Sequence, residues 1–336
     1  MLARYAKVLL KSVFTKGVVK ATVAIDFMCN ARCKTCNVWR HHDPGFKFED
    51  LERALDYDKF VWLTITGGEP FLRDDVWRFI KLFFETQKSL LAVNIDTNGI
   101  LTNKILEQVR RMLQYMPDHG NIVVAVSIHG DKKINDSFFG VPAYEKIVKT
   151  IRELKKLEEE TQGKVAVALS SMISPYNSGG AEWIVKNSKK LFGIKRNRIF
   201  HPVPIQAINF DTFTGVRYEY DKMPDELERV RRMSWIYNRI YLNVAKKSVE
   251  KDGYAHTLLP CYAAKKFIYI NYDLKVHPCN TLPDVIGDLR EETLSEVVKR
   301  AVKMDYTSCR KCLCNTSFLS SLSTPRNLLK SLKYLL

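Results

Sequence analysis

The sequence predicts an α/β fold: an open, partial (β/α)6 barrel around a parallel sheet, followed by a small C-terminal cysteine-rich module. Stretches rich in β-branched residues alternate with stretches of helical periodicity, which is typical of βα units. Polar or glycine-rich segments follow the first four strand-like stretches, and parallel barrels carry their chemistry at the carboxyl ends of strands. The cysteines beyond residue 260 stand apart from this alternation.

Each element follows from its own pattern. Short β-branched, apolar runs predict six strands, at 22–27, 60–65, 91–96, 122–127, 164–172 and 197–203. Longer stretches with apolar residues three and four apart predict the helices between them, at 48–57, 74–88, 101–116, 143–159 and 180–192. The charged stretch 222–250 is expected to form one connecting helix.

The 336 residues allow one large domain and a smaller one. We expect a barrel over 21–215, a helical connector over 216–257 and a cysteine-bearing module over 258–315, with basic amphipathic helices at 1–20 and 316–336. A membrane-spanning helix needs roughly 18 consecutive apolar residues, and no such run is present.

Three cysteines follow the first predicted strand, in the run Cys29-Asn-Ala-Arg-Cys33-Lys-Thr-Cys36. Three thiolates at this spacing can hold three irons of a [4Fe–4S] cube and leave the fourth iron open to a cofactor. A zinc site is the alternative, but structural zinc takes four ligands, and only His41 and His42 stand nearby. Disulfides are disfavoured because cysteines this close are poor partners and no cleavable signal peptide is expected.

The second motif, Gly67-Gly68-Glu69-Pro70, comes shortly after the apolar strand at 60–65. Together with the cysteine loop it resembles the radical S-adenosylmethionine (radical SAM) superfamily. The resemblance implies a radical SAM barrel whose open iron chelates the amino and carboxyl groups of SAM. One electron, from an external donor of ferredoxin or flavodoxin type, then splits SAM into methionine and a 5′-deoxyadenosyl radical. That radical abstracts hydrogen from an inert C–H bond.

The same resemblance assigns the SAM pocket to the ends of the strands. Gly67 and Gly68 would let the backbone approach the methionine end of SAM, and Glu69 would accept a hydrogen bond from its amino group. Asp96 and Asn98 would contact the ribose hydroxyls or the methionine group, with ordinary turn capping as the alternative. The expected SAM-binding residues are Gly67, Gly68, Glu69, Pro70, Asp96, Asn98 and Ser127.

The segment Ser127-Ile128-His129-Gly130 resembles a family segment that has an Asp where this chain has His129. His129 is expected to be a surface residue without a role. Members of the family often carry an Arg further along for the SAM carboxylate. Phe138-Phe139 stand in that region here, so Lys132, Lys133 or another residue would hold the carboxylate.

The remaining five cysteines resemble the twitch or SPASM extension of radical SAM enzymes, with a small hairpin over 267–279 and Tyr272-Asp273 at its turn. A [4Fe–4S] cube takes four ligands, so five cysteines cannot fully ligate two cubes. We expect one auxiliary [4Fe–4S] cluster, with zinc as the alternative. Its metal ligands would come from Cys261, Cys279, Cys309, Cys312 and Cys314. Cys314 either replaces Cys312, serves a partial second site or is a buried thiol.

The formal charge of +16 is concentrated at the two ends. Residues 1–20 hold five cations and residues 306–336 hold five more, with no acid in either stretch. Leucines recur there at helical spacing, which is the pattern of basic helices that lie in membrane interfaces. An anionic membrane surface is therefore an expected partner, and helices that cap the barrel are the alternative. No nucleic-acid partner is expected, because the basic stretches lack interleaved aromatic residues.

These features predict a cytoplasmic, peripheral membrane enzyme that acts on a membrane-associated substrate, most simply a lipid hydrocarbon chain, by C–C bond formation or another alkyl modification. A peptide maturase is the first alternative, although only 28 residues precede Cys29 and no peptide-recognition domain is expected there. A non-catalytic iron–sulfur protein is the second. The candidates for a general acid or base are Tyr176, His201, Tyr254, His256 and His277.

Overall fold

The computed structural model of the chain describes residues 2–202, 222–251, 258–309, 318 and 320–334. Four of the residues singled out above lie outside the described residues: Tyr254, His256, Cys312 and Cys314.

The strands form one sheet within the described residues. They are Lys20–Ala24 (β1), Trp62–Thr66 (β2), Ala92–Thr97 (β3), Ile122–Ser127 (β4), Val165–Ser170 (β5), Ile199–Phe200 (β6), Phe267–Ile270 (β7), Lys275–His277 (β8) and Gly287–Asp288 (β9). Their order is β6-β5-β4-β3-β2-β1-β7-β8-β9, and the first six are parallel to their neighbours. The predicted α/β fold with a partial barrel is confirmed.

The barrel strands have two different faces. On β1, Ala21 and Val23 pack in the main hydrophobic core with the helices, so the alternate residues Lys20 and Thr22 face the barrel lumen. The helix-facing positions of the other strands are equally apolar, which accounts for the hydrophobic runs in the sequence. The lumen-facing positions are mostly small or polar, and this is the face that a ligand can reach.

The helices lie mainly outside the sheet. Those described are Leu2–Phe14 (α1), Phe48–Ala54 (α2), Val76–Thr86 (α3), Thr102–Leu113 (α4), Lys132–Phe139 (α5), Tyr144–Glu160 (α6), Gly180–Phe192 (α7), Met223–Met233 (α8), Ile236–Lys251 (α9), Leu294–Ala301 (α10) and Pro325–Ser331 (α11). The five helices predicted for the barrel are all present, and no end differs from its prediction by more than three residues.

The predicted single helix at 222–250 is instead two helices. α8 ends at Met233 because the next residue, Ser234, is extended with a ψ of 162°. The Ser234 hydroxyl donates to the carbonyl oxygen of Val230 at 2.7 Å and caps that end. The sequence signal for this break was Ser234, a residue type that often caps helix ends, within the helical pattern of 222–250.

One helix was not predicted. α5 begins where the carboxylate of Asp131 accepts a hydrogen bond from the amide of Ile134 at 2.9 Å, and it ends at Gly140, whose φ is 66°. Its eight residues are too few for periodicity to reveal, so the caps define it.

The predicted C-terminal hairpin is present and extends the barrel sheet. β7 runs parallel to β1, with Phe267 opposite Lys20, and β8 returns antiparallel to β7. Tyr272 and Asp273 lie at the turn, as predicted. The cysteine-bearing module is therefore continuous with the barrel sheet.

α1 covers the end of the barrel at which the strands begin. Val8 packs against Val19 and Val61, which directly precede β1 and β2. On the outer side of the helix, the side chains of Leu10 and Phe14 are 56% and 80% exposed. The helix thus caps the barrel and also presents apolar side chains to the outside.

α11 turns its polar side inward. The amide group of Asn327 is buried and donates to the carbonyl oxygen of Pro260 at 2.9 Å. Leu329 and Leu332 are 69% and 52% exposed. None of the described helices is long and apolar enough to cross a membrane.

Candidate active site

The two sequence motifs meet at the carboxyl edge of the sheet. β1 continues through Asp26 into the cysteine loop, and β2 continues into the glycine turn. The two continuations pair: the amide of Gly68 donates to the carbonyl oxygen of Asp26 at 3.0 Å, and that of Glu69 to the carbonyl oxygen of Met28 at 2.7 Å. Parallel strands therefore deliver both motifs to one place.

The two glycines are required by contacts within the chain. A Cβ atom on Gly68 would lie 1.9 Å from the carbonyl oxygen of Met28. One on Gly67, whose φ is 149°, would lie 2.4 Å from the carbonyl oxygen of Asp26. Only glycine lets the turn pass this close to the cysteine loop. The predicted approach of these glycines to SAM remains a prediction.

α5 holds the other side of the cysteine loop. The amides of Arg32 and Lys34 donate to the carbonyl oxygens of Phe139 and Phe138, at 2.8 and 3.0 Å. The phenylalanines that occupy the position of the expected Arg thus serve as backbone acceptors that fix the loop. The loop is therefore anchored from two sides by backbone hydrogen bonds.

The three thiols of the loop are half-buried and act on one another electrostatically. Burial raises the pKa of Cys29 to about 12 and that of Cys36 to about 11. Burial, with the two neighbouring thiols, also raises the pKa of Cys33 well above its ordinary value. All three are free thiols, so the disulfide alternative is excluded for them.

The thiols suit a cluster better than a single ion. Among the described residues, no three His, Cys, Asp or Glu side chains are grouped so that they could hold one metal ion. In an iron–sulfur cube each thiolate binds its own iron, so the sulfurs need not converge on one point. Bound iron would also stabilise the thiolates that burial disfavours.

Glu69 is fully buried and connects the glycine turn to the end of β3. Its Oε1 accepts from the amide of Phe71 at 3.2 Å and from the hydroxyl of Thr97 at 2.8 Å, and its Oε2 accepts from the amide of Asn98 at 2.7 Å. Burial raises the pKa of Glu69 to about 7, against the lowering effect of these donors. The carboxylate therefore positions Asn98, and its predicted contact with SAM remains a prediction.

The side chain of Asn98 contacts the cysteine loop, whereas that of Asp96 lies in the lumen. The amide group of Asn98 donates to Oδ1 of Asn30 at 2.6 Å and to the sulfur of Cys29 at 3.9 Å, so it braces the cysteine loop. Asp96 is open to solvent within the lumen, where the surrounding protein raises its pKa to about 6 and Lys20 opposes that shift. Of the two, Asp96 is the side chain that a lumen ligand would meet.

The structure corrects the prediction for His129. It is 5% exposed, its ring centroid lies 4.0 Å from that of Phe138, and its Nδ1 accepts from the amide of Met172 at 3.2 Å. Burial lowers the pKa of His129 to about 3, so the imidazole is neutral. The surface prediction was wrong because His129 is covered by Phe138 of α5 and by the segment at Met172, and its local sequence pattern reveals neither contact. Ser127, next to it, is half-buried on the lumen face of β4, opposite Ser170.

The lysines predicted to replace the family Arg lie outside the lumen. Lys132 and Lys133 are exposed on α5, and Nζ of Lys132 pairs with Glu145 at 3.0 Å. Among the described strand residues, Lys20 is a cation that does face the lumen; it is 3% exposed, and its Nζ lies 3.9 Å from the ring centroid of Trp62. Lys20 was not among the site residues predicted from the sequence. The available signal was its position in the strand, because it alternates with Ala21 and Val23, which face the helices.

Asp26 is the second residue that the sequence analysis missed. It is completely buried, and its Oδ1 accepts from the amide of Gly68 at 3.1 Å. Its Oδ2 has no hydrogen-bond partner among the described residues. Burial, the largest effect, raises the pKa of Asp26 to about 7. An acid at the end of an apolar strand, three residues before Cys29, was the signal.

Three of the five C-terminal cysteines come together. Cys261, Cys279 and Cys309 share one cluster with Phe267 and Tyr306, at the end where β7 begins. The sulfurs of Cys261 and Cys279 accept hydrogen bonds from amides two residues further along, at 3.5 and 3.4 Å. These three lie at the opposite edge of the sheet from the first cysteine loop.

Two of the acid–base candidates within the described residues are histidines whose Nδ1 atoms lie within hydrogen-bond distance of backbone carbonyl oxygens. Nδ1 of His201 lies 3.1 Å from the carbonyl oxygen of Ser171, and burial lowers the pKa of His201 to about 4. Nδ1 of His277 lies 3.1 Å from the carbonyl oxygen of Asp284, and burial lowers its pKa as well. Tyr176 is half-buried. No proton-transfer role is assigned to them.

The family model of the radical SAM superfamily matches residues 27–162, from the cysteine loop through α6. This part of the chain is a radical SAM domain. The predicted resemblance is confirmed, as is the prediction that the protein is an enzyme. The match also supports SAM and the radical SAM iron–sulfur cluster as cofactors.

Two curated relatives align with most of the chain. An AdoMet-dependent heme synthase of Methanosarcina barkeri is 27% identical over 266 residues, which cover 71% of this chain and 68% of the relative. An AdoMet-dependent heme synthase of Nitratidesulfovibrio vulgaris is 25% identical over 297 residues, covering 81% and 76%.

Solved structures share the fold. SuiB of Streptococcus suis, bound to its precursor peptide SuiA, superposes with a TM-score of 0.59 at 16% identity, over 88% of this chain and 68% of that one. AnSMEcpe with bound AdoMet superposes with a TM-score of 0.56 at 14% identity, over 95% and 92%. At this level of identity the likeness concerns the fold.

Proposed function

We propose that this radical SAM enzyme cleaves SAM reductively at a [4Fe–4S] cluster bound by Cys29, Cys33 and Cys36. The radical then takes a hydrogen atom from a C–H bond of a substrate in the barrel lumen. The observation that supports this most directly is the convergence at the carboxyl edge, where Asn98 and the glycine turn hold the cysteine loop above the lumen. An external one-electron donor of ferredoxin or flavodoxin type is part of the proposal.

When bound, the cluster supplies the electron that cleaves SAM. The protein residues orient the reactants. Asn98, held by Glu69, donates toward the sulfur of Cys29 and fixes that ligand. Oδ2 of Asp26 has no partner among the described residues and could accept a hydrogen bond from an ammonium group, while Asp96 could accept from hydroxyl groups in the lumen.

The test of this proposal compares cysteine variants with a nearby histidine variant. Cys29→Ala, Cys33→Ala and Cys36→Ala should each abolish 5′-deoxyadenosine formation by anaerobically reconstituted protein with SAM and dithionite. His41→Ala should retain it, whereas a zinc site completed by His41 would lose its metal. Continued SAM cleavage in the cysteine variants would refute the proposal.

We also propose one auxiliary [4Fe–4S] cluster at Cys261, Cys279 and Cys309, with Cys312 or Cys314 as the fourth ligand. The support is that Cys261 and Cys279 are buried in one cluster and the half-buried Cys309 packs against it. Cys261→Ala or Cys279→Ala should lower the iron content and reduce product formation more than SAM cleavage. Unchanged iron per chain, measured beside Cys29→Ala, would contradict it.

The polar side chains of the lumen restrict the kind of substrate that the barrel can hold. One wall presents Thr22, Asn94 and Asp96, and covering such groups with hydrocarbon costs free energy unless they keep hydrogen-bond partners. The lipid hydrocarbon chain that we predicted therefore receives little support as the group held in the lumen. A substrate with polar groups fits this wall better.

Exposed apolar side chains on the terminal helices support a membrane-associated substrate. Leu10 and Phe14 on α1, Leu329 on α11 and Leu332 directly after it are exposed near lysines, as in helices that lie on anionic membranes. We propose peripheral membrane binding through these helices.

A second candidate function is heme synthesis from a tetrapyrrole precursor. It is favoured by the two relatives named AdoMet-dependent heme synthase, which align over 71% and 81% of the chain. Incubating the reconstituted enzyme and SAM with porphyrin precursors of heme, a lipid extract or a short-peptide pool separates the options. The substrate class that stimulates 5′-deoxyadenosine formation and changes mass identifies the reaction, and the peptide pool tests the maturase alternative.

A further inference from the structure

The cysteine loop carries a basic stretch whose cations have no acidic partners. The segment 30–42 contains Arg32, Lys34 and Arg40 and no acid. All three side chains are exposed, and none forms an ion pair with a described residue. Several exposed cations of the barrel helices pair with acids instead. The positive charge of the loop is therefore left open to something outside the described chain.

Trp39 joins the two arginines to the cysteine loop. The guanidinium carbons of Arg32 and Arg40 lie 6.0 and 4.9 Å from the ring centroid of Trp39, and a cation over an indole ring is attracted to it. Nε1 of Trp39 donates to the carbonyl oxygen of Cys36 at 2.8 Å. The half-buried indole and both guanidinium groups thus form one surface, which is tied by a hydrogen bond to the backbone of a predicted cluster ligand.

α5 extends this surface on its other side. Nζ of Lys34 donates to the hydroxyl of Ser137 at 2.8 Å. Lys133 lies one helical turn before Ser137 and so on the same side of α5, where it is exposed and has no ion pair with a described residue. The basic loop surface consists of these two lysines together with Arg32, Trp39 and Arg40.

The nearest acids in the sequence direct their oxygens at backbone amides. Oδ1 of Asp131 accepts from the third amide of α5 at 2.9 Å, and Oδ1 of Asp136 accepts from the first amide of α6 at 2.7 Å. Helix N-termini carry partial positive charge, which offsets these two carboxylates. Oδ1 of Asp43 accepts from an amide two residues further along at 2.8 Å. None of the three forms an ion pair within the described residues, so the basic loop surface keeps its charge.

The place of this surface indicates the kind of partner. The proposed reaction needs one electron from an external protein, and electron transfer between proteins slows steeply with distance, so the donor must bind close to the cluster. The basic loop surface is built on the same loop as the half-buried Cys33 and Cys36. An acidic donor protein would complement its charge, and arginine and tryptophan are the residue types that often dominate protein–protein interfaces.

We propose that the basic loop surface is the docking site for an acidic one-electron donor protein. The inference rests on the proposed radical SAM function and names where its electron donor binds. In this step the donor loses one electron to the cluster at Cys29, Cys33 and Cys36, and no bond or proton changes. The exposed cations would guide the donor to the loop by long-range attraction, and Trp39 would give the contact an apolar centre.

An anionic membrane is the other partner that a basic surface with a tryptophan could bind. α1, whose exposed apolar side chains support membrane binding, covers the end of the barrel where the strands begin. The basic loop surface follows β1 at the carboxyl edge, which is the opposite end. One flat membrane would not reach both, and this favours a protein partner for the loop.

The first arm of the experiment measures binding without SAM. Calorimetry titrates flavodoxin, a small acidic electron carrier, into the anaerobically reconstituted enzyme. Arg40→Glu/Lys133→Glu should weaken binding by at least about tenfold, because like charges then face each other. Higher ionic strength should weaken binding by the wild type. The control Lys195→Glu/Arg196→Glu has the same charge change at exposed residues just before β6, at the opposite edge, and should bind like the wild type.

The second arm measures the rate of 5′-deoxyadenosine formation with two reductants. One is reduced flavodoxin, and the other is photoreduced 5-deazariboflavin, a small uncharged reductant that needs no docking site. Arg40→Glu/Lys133→Glu should be slower than the wild type with limiting flavodoxin and should keep the wild-type rate with deazariboflavin. Circular dichroism and iron per chain verify that each variant is folded and loaded.

Three results would overturn the proposal. The first is that the wild type does not bind flavodoxin, or that Arg40→Glu/Lys133→Glu binds it no more weakly than the control does. The second is an equal loss of rate with both reductants, which would mean that these cations act on the cluster itself. The third is unchanged flavodoxin binding with weaker binding to phosphatidylglycerol vesicles, which would assign the surface to a membrane.

Failure of the proposed function would look different. If the wild type forms no 5′-deoxyadenosine with either reductant, the radical SAM function is refuted. The calorimetric comparison does not depend on SAM cleavage and still decides whether the basic loop surface binds an acidic carrier.

Discussion

At the scale of single residues, the site depends on buried polar groups whose partners are mostly backbone atoms. Glu69 accepts from two amides and one hydroxyl, and His129 accepts from one amide. None of these partners is adjacent in sequence to the group that it binds. Polar residues of the two motifs were thus identifiable from the sequence, but several of them turn out to hold the protein together.

Replacing Glu69 by Gln tests its positioning role. The amide NH₂ of Gln would face a backbone N–H where a carboxylate oxygen now accepts, leaving a buried donor unsatisfied. We expect a loss of about 1–3 kcal/mol in the free energy of unfolding, measured by urea denaturation of the reconstituted protein. Glu160→Gln, an exposed control, should change it by less than about 0.5 kcal/mol. Equal stability of the two variants would contradict this role for Glu69.

His129 should make the protein less stable in mild acid. Its pKa is about 3 in the folded state and about 6.5 when unfolded, so below pH 6.5 the unfolded chain binds the extra proton. The group's contribution to stability is present above pH 6.5 and is lost as the pH falls toward 3. Between pH 6.5 and 5 this loss amounts to roughly 2 kcal/mol.

The measurement compares the pH dependence of unfolding in the wild type, His129→Gln and the exposed control His119→Gln. Only His129→Gln should lack this part of the acid destabilisation. If the slopes of all three between pH 6.5 and 5 agree, His129 is not held neutral by burial.

At the scale of elements, the glycine turn and the cysteine loop form one unit because their backbones pair. The strands and barrel helices were predictable, since apolar periodicity follows directly from burial on one face. α5 and the break at Ser234 were not, because single capping contacts define them. The reason for Gly67 and Gly68 was also hidden, since it lies in a close approach between segments about 40 residues apart in the chain.

Gly68→Ala should disrupt cluster binding without removing any ligand. Its Cβ would meet the carbonyl oxygen of Met28 at 1.9 Å, so the cysteine loop must move. We expect the iron bound at this loop to fall severalfold, measured in a Cys261→Ala background so that the first site alone is counted.

Gly179→Ala is the matched control. Gly179 has a φ of 76°, so alanine is strained there too, but a Cβ would meet no atom within 4 Å. It should retain its iron. Comparable iron in the two variants would show that the close approach at Gly68 does not matter for cluster binding.

At the scale of the whole molecule, the two edges of the barrel carry different groups. The carboxyl edge carries the cysteine loop, and the opposite edge carries α1 and the second cysteine group. Val8 of α1 packs against Val19 and Val61 at the start of the strands, while Leu10 and Phe14 are exposed. The cap and membrane interpretations of the N-terminal helix are therefore compatible.

The double variant Leu10→Ser/Phe14→Ser tests membrane binding. These side chains are 56% and 80% exposed, so the variant should unfold like the wild type. Its binding to vesicles rich in phosphatidylglycerol should fall several-fold, because apolar burial in the interface is lost. Val8→Ser, the packing control, should instead reduce stability. Unaltered vesicle binding by the double variant would leave α1 as a barrel cap.

The fold class, the cysteine loop and the glycine turn could all be predicted from the sequence alone, and so could the resemblance to radical SAM enzymes. Strand and helix periods are local, and a ligand loop needs its cysteines close together in the chain. Three facts became visible only in the folded chain: Lys20 lies over Trp62, His129 is buried, and Asp26 contacts the glycine turn. These facts depend on the register of neighbouring parallel strands and on which segments cover them, and no local pattern encodes either.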